Sequence, residues 1–163
     1  METLAPSAVW QHRQLSIATR RATEFIDITD RLTALVAEAG VRIGLLNVQT
    51  LHTTAAIVVN EHEPLLLADF EDTLGNAAPR GAYRHDDESV RTVNVTAEER
   101  VNGHAHCRAL LLGASACLNI VDGRLTLGQW QRVFLAELDG PRQRRVTAVI
   151  VGDSGACGSD ARR

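Results

Sequence analysis

The stretch that decides the fold is ACLNIVDGRLTLGQWQRVFLAELDGPRQRRVTAVIV, which spans residues 116–151. Apolar and polar residues alternate along much of it, as they do in a β-strand with one buried face. Asp122-Gly123 is a dipeptide typical of a two-residue hairpin turn. The stretch predicts an antiparallel run made of strand 116–121, turn 122–123, long strand 124–138, turn 139–142 and return strand 145–151.

The long predicted strand carries a mixed row of side chains on one face. Residues of one parity share a face of a strand. That parity collects four apolar residues, which are Leu125, Leu127, Val133 and Leu135. It also collects four polar residues, which are Gln129, Gln131, Glu137 and Asp139. Polar side chains in an otherwise apolar row indicate a pocket or a subunit interface.

Upstream of this run, strands alternate with amphipathic helices. Thr29 is the predicted N-cap of a first helix, which Gly40 ends. A second helix begins at Pro64, which suits a first helical turn, and ends at Gly75. A third helix is predicted over residues 104–112. The predicted strands of this part are 9–18, 23–28, 41–53 and 56–60.

Strands outnumber helices, and the apolar stripe of each helix needs a sheet to cover. The predicted fold is therefore α+β, a single domain dominated by antiparallel β-sheet with a few covering helices. Residues 9–151 form the predicted domain. Residues 1–8 are interpreted as an N-terminal arm, and residues 152–163 as a polar, flexible tail.

Composition bounds the function classes. The chain has 163 residues, of which 45% are hydrophobic, enough for one domain with a real core. A net charge of -3 and an aromatic content of 4% argue against a nucleic-acid partner. No apolar run approaches the roughly 20 residues that cross a bilayer, and the N-terminus has no signal-peptide core. We expect a cytoplasmic protein that binds a small molecule and no membrane.

Three cysteines at wide spacing fit the same compartment. No Cys-x-x-Cys pair is present, so a disulfide framework or a thiolate zinc site is not expected. Cys107 and Cys117 are interpreted as small core residues. Cys157 is placed in the tail.

Three histidines stand where regular structure is expected to meet a loop. They are His52, His85 and His106, and each has polar neighbours. Neutral imidazole binds divalent metals and exchanges protons near neutral pH. Residues two apart on a helix point about 200° apart, so His104 and His106 cannot both face one site. We assign His106 to a pocket and His104 to solvent or to the rim.

The segment between the second and third helices is long and polar. Residues 75–92 are rich in Gly, Pro, Asp and Arg, and loops of this length in small domains are usually functional or disordered. Asp86 and Asp87 are read as residues that solvate this loop. Thr96-Ala97-Glu98-Glu99 has the pattern of a capping box.

Several segments together resemble one known family. They are Leu51-His52-Thr53-Thr54-Ala55-Ala56, Asn60-Glu61, Asp69, Tyr83-Arg84-His85-Asp86, Ala105-His106 through Gly113, and Gly123-Arg124-Leu125-Thr126-Leu127-Gly128-Gln129-Trp130-Gln131 through Arg142. Their order and spacing resemble the YjbQ family, described as secondary thiamine-phosphate synthase enzymes. The likeness covers roughly residues 9–151. His104 departs from it, since the family often has an acidic residue there.

The resemblance implies a β-rich α+β fold that forms a homotrimer with a small pocket near the subunit boundaries. It implies His52, His85 and His106 as catalytic residues and as ligands of a divalent metal. Glu61 and Glu137 join them as catalytic candidates. The implied substrate-binding residues are Asp69, Gln131 and Arg142.

Three functions remain open at this point. The family label implies coupling of hydroxymethylpyrimidine diphosphate with thiazole phosphate, and release of pyrophosphate. Arg142 with Arg144 or Arg145, or Mg²⁺ on Glu61 and Asp69, would take up the charge of the leaving group. A metal-dependent hydrolase would use Zn²⁺ on the histidines to activate water. The third reading is a non-catalytic homotrimer that binds a small molecule.

Overall fold

Two antiparallel sheets and three α-helices make up the computed structural model, which describes residues 8–98 and 100–154. The strands are β1 (Ala8–Ala18), β2 (Glu24–Asp27), β3 (Ile43–Thr50), β4 (Ala55–Glu61), β5 (Ser115–Val121), β6 (Arg124–Leu125), β7 (Gln131–Glu137) and β8 (Gln143–Asp153). The helices are α1 (Thr29–Ala39), α2 (Pro64–Ala77), α3 (Gly103–Leu112) and a short 3₁₀ turn at Arg84–Asp86.

The strands form a five-stranded sheet of order β1-β8-β3-β5-β6 and a three-stranded sheet of order β2-β7-β4. Every pairing between these described strands is antiparallel. This architecture confirms the predicted α+β class with antiparallel sheet dominant. No helix in the described residues is both long and apolar enough to span a membrane.

The small sheet is buried on both faces, and β7 is its middle strand. Val133 and Leu135 belong to the main core with residues of the larger sheet and α1. Ala136 and Leu138 pack with Leu74 of α2 and Ala105 of α3 in a second core. Five consecutive residues, 133–137, are therefore buried. Because successive side chains of a strand point to opposite faces, Glu137 lies on the same face of β7 as Val133 and Leu135, toward the main core.

The predicted hairpin turn is present. Asp122 and Gly123 have φ values of 50° and 75°, the left-handed pair that a type I′ turn requires. The single long strand predicted over 124–138 is wrong, because β6 and β7 belong to different sheets. A turn interrupts it where the backbone N–H of Gln131 bonds to the Gly128 carbonyl at 3.0 Å. The residues of the predicted polar row therefore do not all lie on one face of a single strand.

Helix ends agree with the sequence at some positions and differ at others. Gly40 ends α1 with φ of 66°, as predicted. Thr29 is not the N-cap but lies inside α1, and its hydroxyl accepts a hydrogen bond from the backbone of Val133. Asp27 instead accepts from the Thr29 N–H at 2.9 Å. Helix α2 begins at Pro64 as predicted and continues past Gly75.

Three further expectations differ from the structure. Residues 96–98 form no helix, and Glu99 of the predicted capping box lies outside the described residues. Cys107 and Cys117 are exposed, because α3 buries the opposite face and β5 turns Cys117 outward. Ala8 already belongs to β1, and β8 continues to Asp153. Residues 1–7 and 155–163, with Cys157, lie outside the described residues.

Candidate functional site

A cleft of about 490 Å³ lies where the end of β3, the 3₁₀ turn and the start of α3 meet the beginning of β8. Residues 91–98 and Arg100 cover one side of it. Its charged and imidazole lining consists of Arg91, Arg100, Arg142, Arg144, Glu98, His52, His85 and His106. Asn102 and the loop 51–54 complete much of the wall.

Glu137 supports the cleft from below with a carboxylate that is 0% exposed. It accepts hydrogen bonds from both Nε and Nη2 of Arg144, from the Thr19 hydroxyl, and from the backbone of Leu138 and Asp139. Burial alone would raise the pKa of Glu137, but the bonds from Arg144 and the Asp139 backbone outweigh it and lower the pKa. Glu137 is therefore a fixed anion with saturated oxygens.

The same ion pair fixes the loop that carries His52. Nη2 of Arg144 also donates to the Thr54 carbonyl at 3.2 Å and to the Thr54 hydroxyl at 3.0 Å. Arg144 is only 2% exposed, so its conformation is held on all sides by protein. Strand β8 and loop 51–54 are thus joined at the floor of the cleft.

A second buried carboxylate, Asp139, holds three other lining residues. Its side chain accepts from Nη2 of Arg142 and from Nδ2 of Asn102, the latter at 2.9 Å. Its carbonyl accepts from Arg142 Nε at 3.1 Å and from Arg100 Nη1 at 3.0 Å. Asp139 thus accepts hydrogen bonds from only part of each guanidinium group. Within the described residues Nη1 of Arg142 and Nη2 of Arg100 donate no hydrogen bond, and both side chains are more than a third exposed.

His52 is held in one protonation state by a backbone contact. Its Nε2 accepts a hydrogen bond from the backbone N–H of Arg145 at 2.8 Å. Burial lowers the pKa of His52, and the nearby charges of Arg144 and Arg145 lower it further. The ring is therefore neutral with its proton on Nδ1. His52 can donate a hydrogen bond to a ligand from Nδ1, but it has no lone pair to spare.

His85 is oriented by its neighbour Asp86. Nδ1 of His85 lies 3.1 Å from Oδ1 of Asp86. The backbone N–H groups of Asn102 and Gly103 donate to the same oxygen at 3.0 and 2.9 Å, so Asp86 also caps α3. Burial would raise the pKa of Asp86, but these three hydrogen bonds outweigh it and lower the pKa. The carboxylate stays ionised, His85 carries its proton on Nδ1, and Nε2 is left for chemistry.

His106 lies against His85, with ring centroids 4.5 Å apart. Burial lowers the pKa of His106, and the adjacent His85 lowers it further. The neutral form of the His106 ring is therefore favoured. His106 also borders a shallow groove with Ala109, Leu110 and Gly113, the neighbours that its helical position predicts.

His104 corrects the sequence analysis. It is 4% exposed rather than solvent-facing, and it packs near Tyr83 with ring centroids 6.5 Å apart. The helical geometry separated it from His106 as predicted. The opposite face of α3 is nevertheless buried, since Gly103 approaches Tyr83 so closely that a Cβ there would lie 2.4 Å from the tyrosine Cβ.

The other predicted site residues lie elsewhere on this chain. Glu61 and Gln131 are paired partners at the far end of the small sheet from Glu137. Asp69 is exposed on α2. None of the three lines the cleft. Arg142 does, together with the three predicted histidines.

The predicted metal centre does not fit the arrangement of this chain. No group of three or more His, Cys, Asp or Glu side chains in residues 8–98 and 100–154 is placed to hold a metal ion. The physical reason is visible at His52, where the Arg145 N–H occupies the lone pair that a metal would need. His85 and His106 alone offer two nitrogens.

Several site residues escaped the sequence analysis. Asn102 was not considered, although an Asn before a Gly at a helix start is a common cap. The sequence placed Asp86 in a loop and Asp139 in the polar row, but it did not reveal their partners, which stand 16–17 and 37 residues away. Arg91 and Arg100 lie in a segment without periodic pattern.

Fold and cleft together define a β-rich α+β protein with a cleft lined by imidazoles and guanidinium groups. The chain belongs to the YjbQ family, because residues 13–153 match the family described as UPF0047 protein YjbQ-like. A UPF0047 protein of Methanothermobacter thermautotrophicus is 39% identical over 141 residues, which cover 86% of this chain and 91% of that protein. A UPF0047 protein of Archaeoglobus fulgidus is 40% identical over 134 residues, with 82% and 95% covered.

Solved structures agree with this assignment. A YbjQ-like protein of unknown function from Sulfolobus solfataricus P2 superposes with a TM-score of 0.81 at 33% identity, covering 90% of this chain and all of that one. A hypothetical protein from Aeropyrum pernix K1 gives a TM-score of 0.77 at 34% identity, with 88% and 99% covered. The names of these proteins assign no reaction.

Proposed function

We propose that this protein is an enzyme that acts on a small phosphorylated substrate, with His85 as the acid–base group. The observation that carries the proposal is the Asp86–His85 pair beside a cleft with four arginines. An ionised carboxylate on Nδ1 fixes the tautomer that leaves Nε2 available for proton transfer. The N–H groups of Arg100 and Arg142 that Asp139 does not hold suit phosphate oxygens.

The reaction we favour is of the thiamine-phosphate-synthase type. A thiazole nitrogen attacks the methylene of a hydroxymethylpyrimidine diphosphate, a C–N bond forms, and the C–O bond to diphosphate breaks. Negative charge grows on the leaving pyrophosphate. Arg142, Arg100 and the Nδ1–H of His52 are donors that would stabilise that charge, because preorganised donors in a partly desolvated site need little reorganisation. His85, after its Nε2 has taken up a proton from solvent, would give that proton to the pyrophosphate as it departs.

The direct test mixes both precursors with the protein and measures thiamine phosphate and pyrophosphate. We expect turnover, and we expect His85→Ala to reduce it by about 10² or more. His62→Ala is the matched control, since His62 also pairs with an aspartate, Asp27 at 3.0 Å, but lies outside the cleft. No product from the wild-type protein, or equal losses in both variants, would contradict the proposal.

Hydrolysis is a second candidate, and the same Asp86–His85 pair favours it. An imidazole whose Nε2 carries no proton can act as a general base and take a proton from an attacking water. A panel of phosphoesters and lactones, assayed with wild type and His85→Ala, separates this reading from the transferase. Hydrolysis in the absence of the thiazole phosphate would favour it.

We also propose that the protein assembles as a homotrimer through the outer face of the large sheet. Trp10, Ile43, Leu45 and Val121 are 74%, 59%, 42% and 48% exposed on its strands. The register aligns Trp10, Val151 and Leu45 in one row across β1, β8 and β3. Apolar side chains side by side on an open sheet face are typical of subunit interfaces.

A further inference from the structure

Asn102 carries an acceptor that the fold leaves without a partner. It is the N-cap residue of α3, it is 6% exposed, and it lines the cleft. Its Oδ1 is buried and accepts no hydrogen bond within the described part of the chain. Burying a carbonyl oxygen without a donor is unfavourable, so such atoms commonly mark a place that a ligand completes.

The orientation of this amide is fixed by chemistry. Nδ2 donates to Oδ2 of Asp139 at 2.9 Å. Asp139 also accepts from Arg142 and lies 3.6 Å from the guanidinium of Arg100. A carboxylate held between two cations accepts and does not donate, so a flipped amide would set oxygen against oxygen. Oδ1 must therefore occupy the other side of the amide.

The surroundings of Asn102 make this acceptor selective. Arg100 and Arg142, which share Asp139 with it, present only donors. They suit an anionic group, whereas Oδ1 would repel one. His104 Nε2, a second orphaned buried atom on the same helix, differs because His104 does not line the cleft. A ligand that satisfies both features has an anion and, nearby, an N–H or O–H group.

We propose that Asn102 is a specificity-determining residue whose Oδ1 accepts a hydrogen bond from an amino or hydroxyl group of the ligand whose phosphate the arginines bind. The substrate class is thus a phosphate ester that also carries a hydrogen-bond donor. An aminopyrimidine phosphate belongs to this class. The inference rests on the proposed function only for the anionic ligand, and not for the reaction.

The experiment measures binding by titration calorimetry, without turnover. The probes are inorganic pyrophosphate and two matched pairs: 4-amino-2-methylpyrimidin-5-ylmethyl phosphate with its 4-deamino analogue, and glycerol 3-phosphate with propyl phosphate. In at least one pair we expect the donor-bearing ester to bind about tenfold more tightly to the wild-type protein. In Asn102→Ala and Asn102→Gln that preference should disappear, with pyrophosphate affinity unchanged.

Two results would overturn the proposal. One is an absence of preference in both pairs, or a preference that survives both substitutions. The other is an equal loss of pyrophosphate and ester binding in both variants, which would mean that Asn102 acts only by holding Asp139. Failure of the proposed function reads differently: the precursors give no product, while the donor preference and its dependence on Asn102 remain.

Discussion

At the scale of single residues, Asp86 has two roles, and one substitution can remove the first while it keeps the second. It orients His85 and accepts the first N–H groups of α3. In Asp86→Asn the amide oxygen can still accept from the helix, but the charge that fixes the His85 tautomer is gone. We expect kcat to fall by about 10²- to 10⁴-fold with a smaller change in KM. Steady-state kinetics on the favoured reaction measure this.

Asp87→Asn is the control for this prediction, since Asp87 is exposed and, among the described residues, its side chain accepts hydrogen bonds only from Ser89. Its kinetics should match those of the wild type. An Asp86→Asn enzyme with unchanged kcat would remove His85 from the acid–base role. A large loss in both variants would point to the loop as a whole.

The buried His104 should make the free energy of unfolding depend on pH. Burial and the charge of Arg108 lower its folded-state pKa below the ordinary 6.5. The unfolded chain therefore binds a proton at His104 that the folded chain resists, and stability is lost as the pH falls from about 6.5 toward the folded pKa. We expect the free energy of unfolding to fall in this window, with His104 contributing up to about 1.4 kcal/mol per pH unit.

Urea unfolding between pH 7 and pH 5 measures that slope. His52 and His106 have pKa values lowered in the same direction, so the wild-type slope is a sum. His104→Gln should reduce the slope below that of the wild type. Identical slopes in wild type and His104→Gln would contradict the assignment.

The histidines show how much of the site could be predicted from the sequence at this scale. The angle between helical positions was enough to place His106 and His104 on different faces. It could not reveal that Tyr83, brought by a distant loop, covers the second face. Nor could it show that the backbone N–H of Arg145 on β8 donates a hydrogen bond to Nε2 of His52. Both facts depend on contacts between segments far apart in sequence.

At the scale of elements, β7 shows how a charge can lie inside a sheet. Glu137 and Arg144 are 0% and 2% exposed and satisfy each other through two contacts. Removing one partner leaves the other buried without compensation. We expect Glu137→Gln to lower the free energy of unfolding by about 3–5 kcal/mol. Chemical denaturation measures it.

A double-mutant cycle gives the control for the β7 prediction. Glu137→Leu with Arg144→Met replaces both charges by apolar groups, which is often far less costly than breaking the pair. We expect the double variant to recover much of the stability that either single variant loses. Additive losses would mean that the pair does not stabilise the fold through its mutual contact.

Some elements could be predicted from the local sequence, and others could not. The Asp122-Gly123 turn and the Gly40 helix end require left-handed backbone, and their residue types announce it. The change of sheet after β6 has no comparable signal. Residues 126–130 continue a plausible alternation, yet the chain crosses to β7 because that strand pairs with β2 and β4. Pairing partners chosen across the whole fold are invisible to local periodicity.

At the scale of the whole molecule, the outer face of the large sheet and the cleft are connected. Arg145, whose N–H holds His52, lies on β8 opposite Ser16 of β1, at the edge of that face. An interface formed there would restrain the strand that positions His52. Assembly is therefore expected to affect the site as well as stability.

The final prediction concerns this assembly. Leu45 lies within the apolar row with Trp10 and Val151, so a carboxylate at position 45 would be desolvated in an interface at a cost of several kcal/mol. We expect Leu45→Glu to sediment as a monomer at concentrations where the wild type is trimeric. Thr33→Glu, which adds the same charge at an exposed position of α1, away from the outer face of the sheet, should remain trimeric. Sedimentation equilibrium decides between them, and a monomeric wild type, or a trimeric Leu45→Glu, would contradict an interface on this face. If restraint of β8 positions His52, the monomeric variant should also bind pyrophosphate more weakly than Thr33→Glu does.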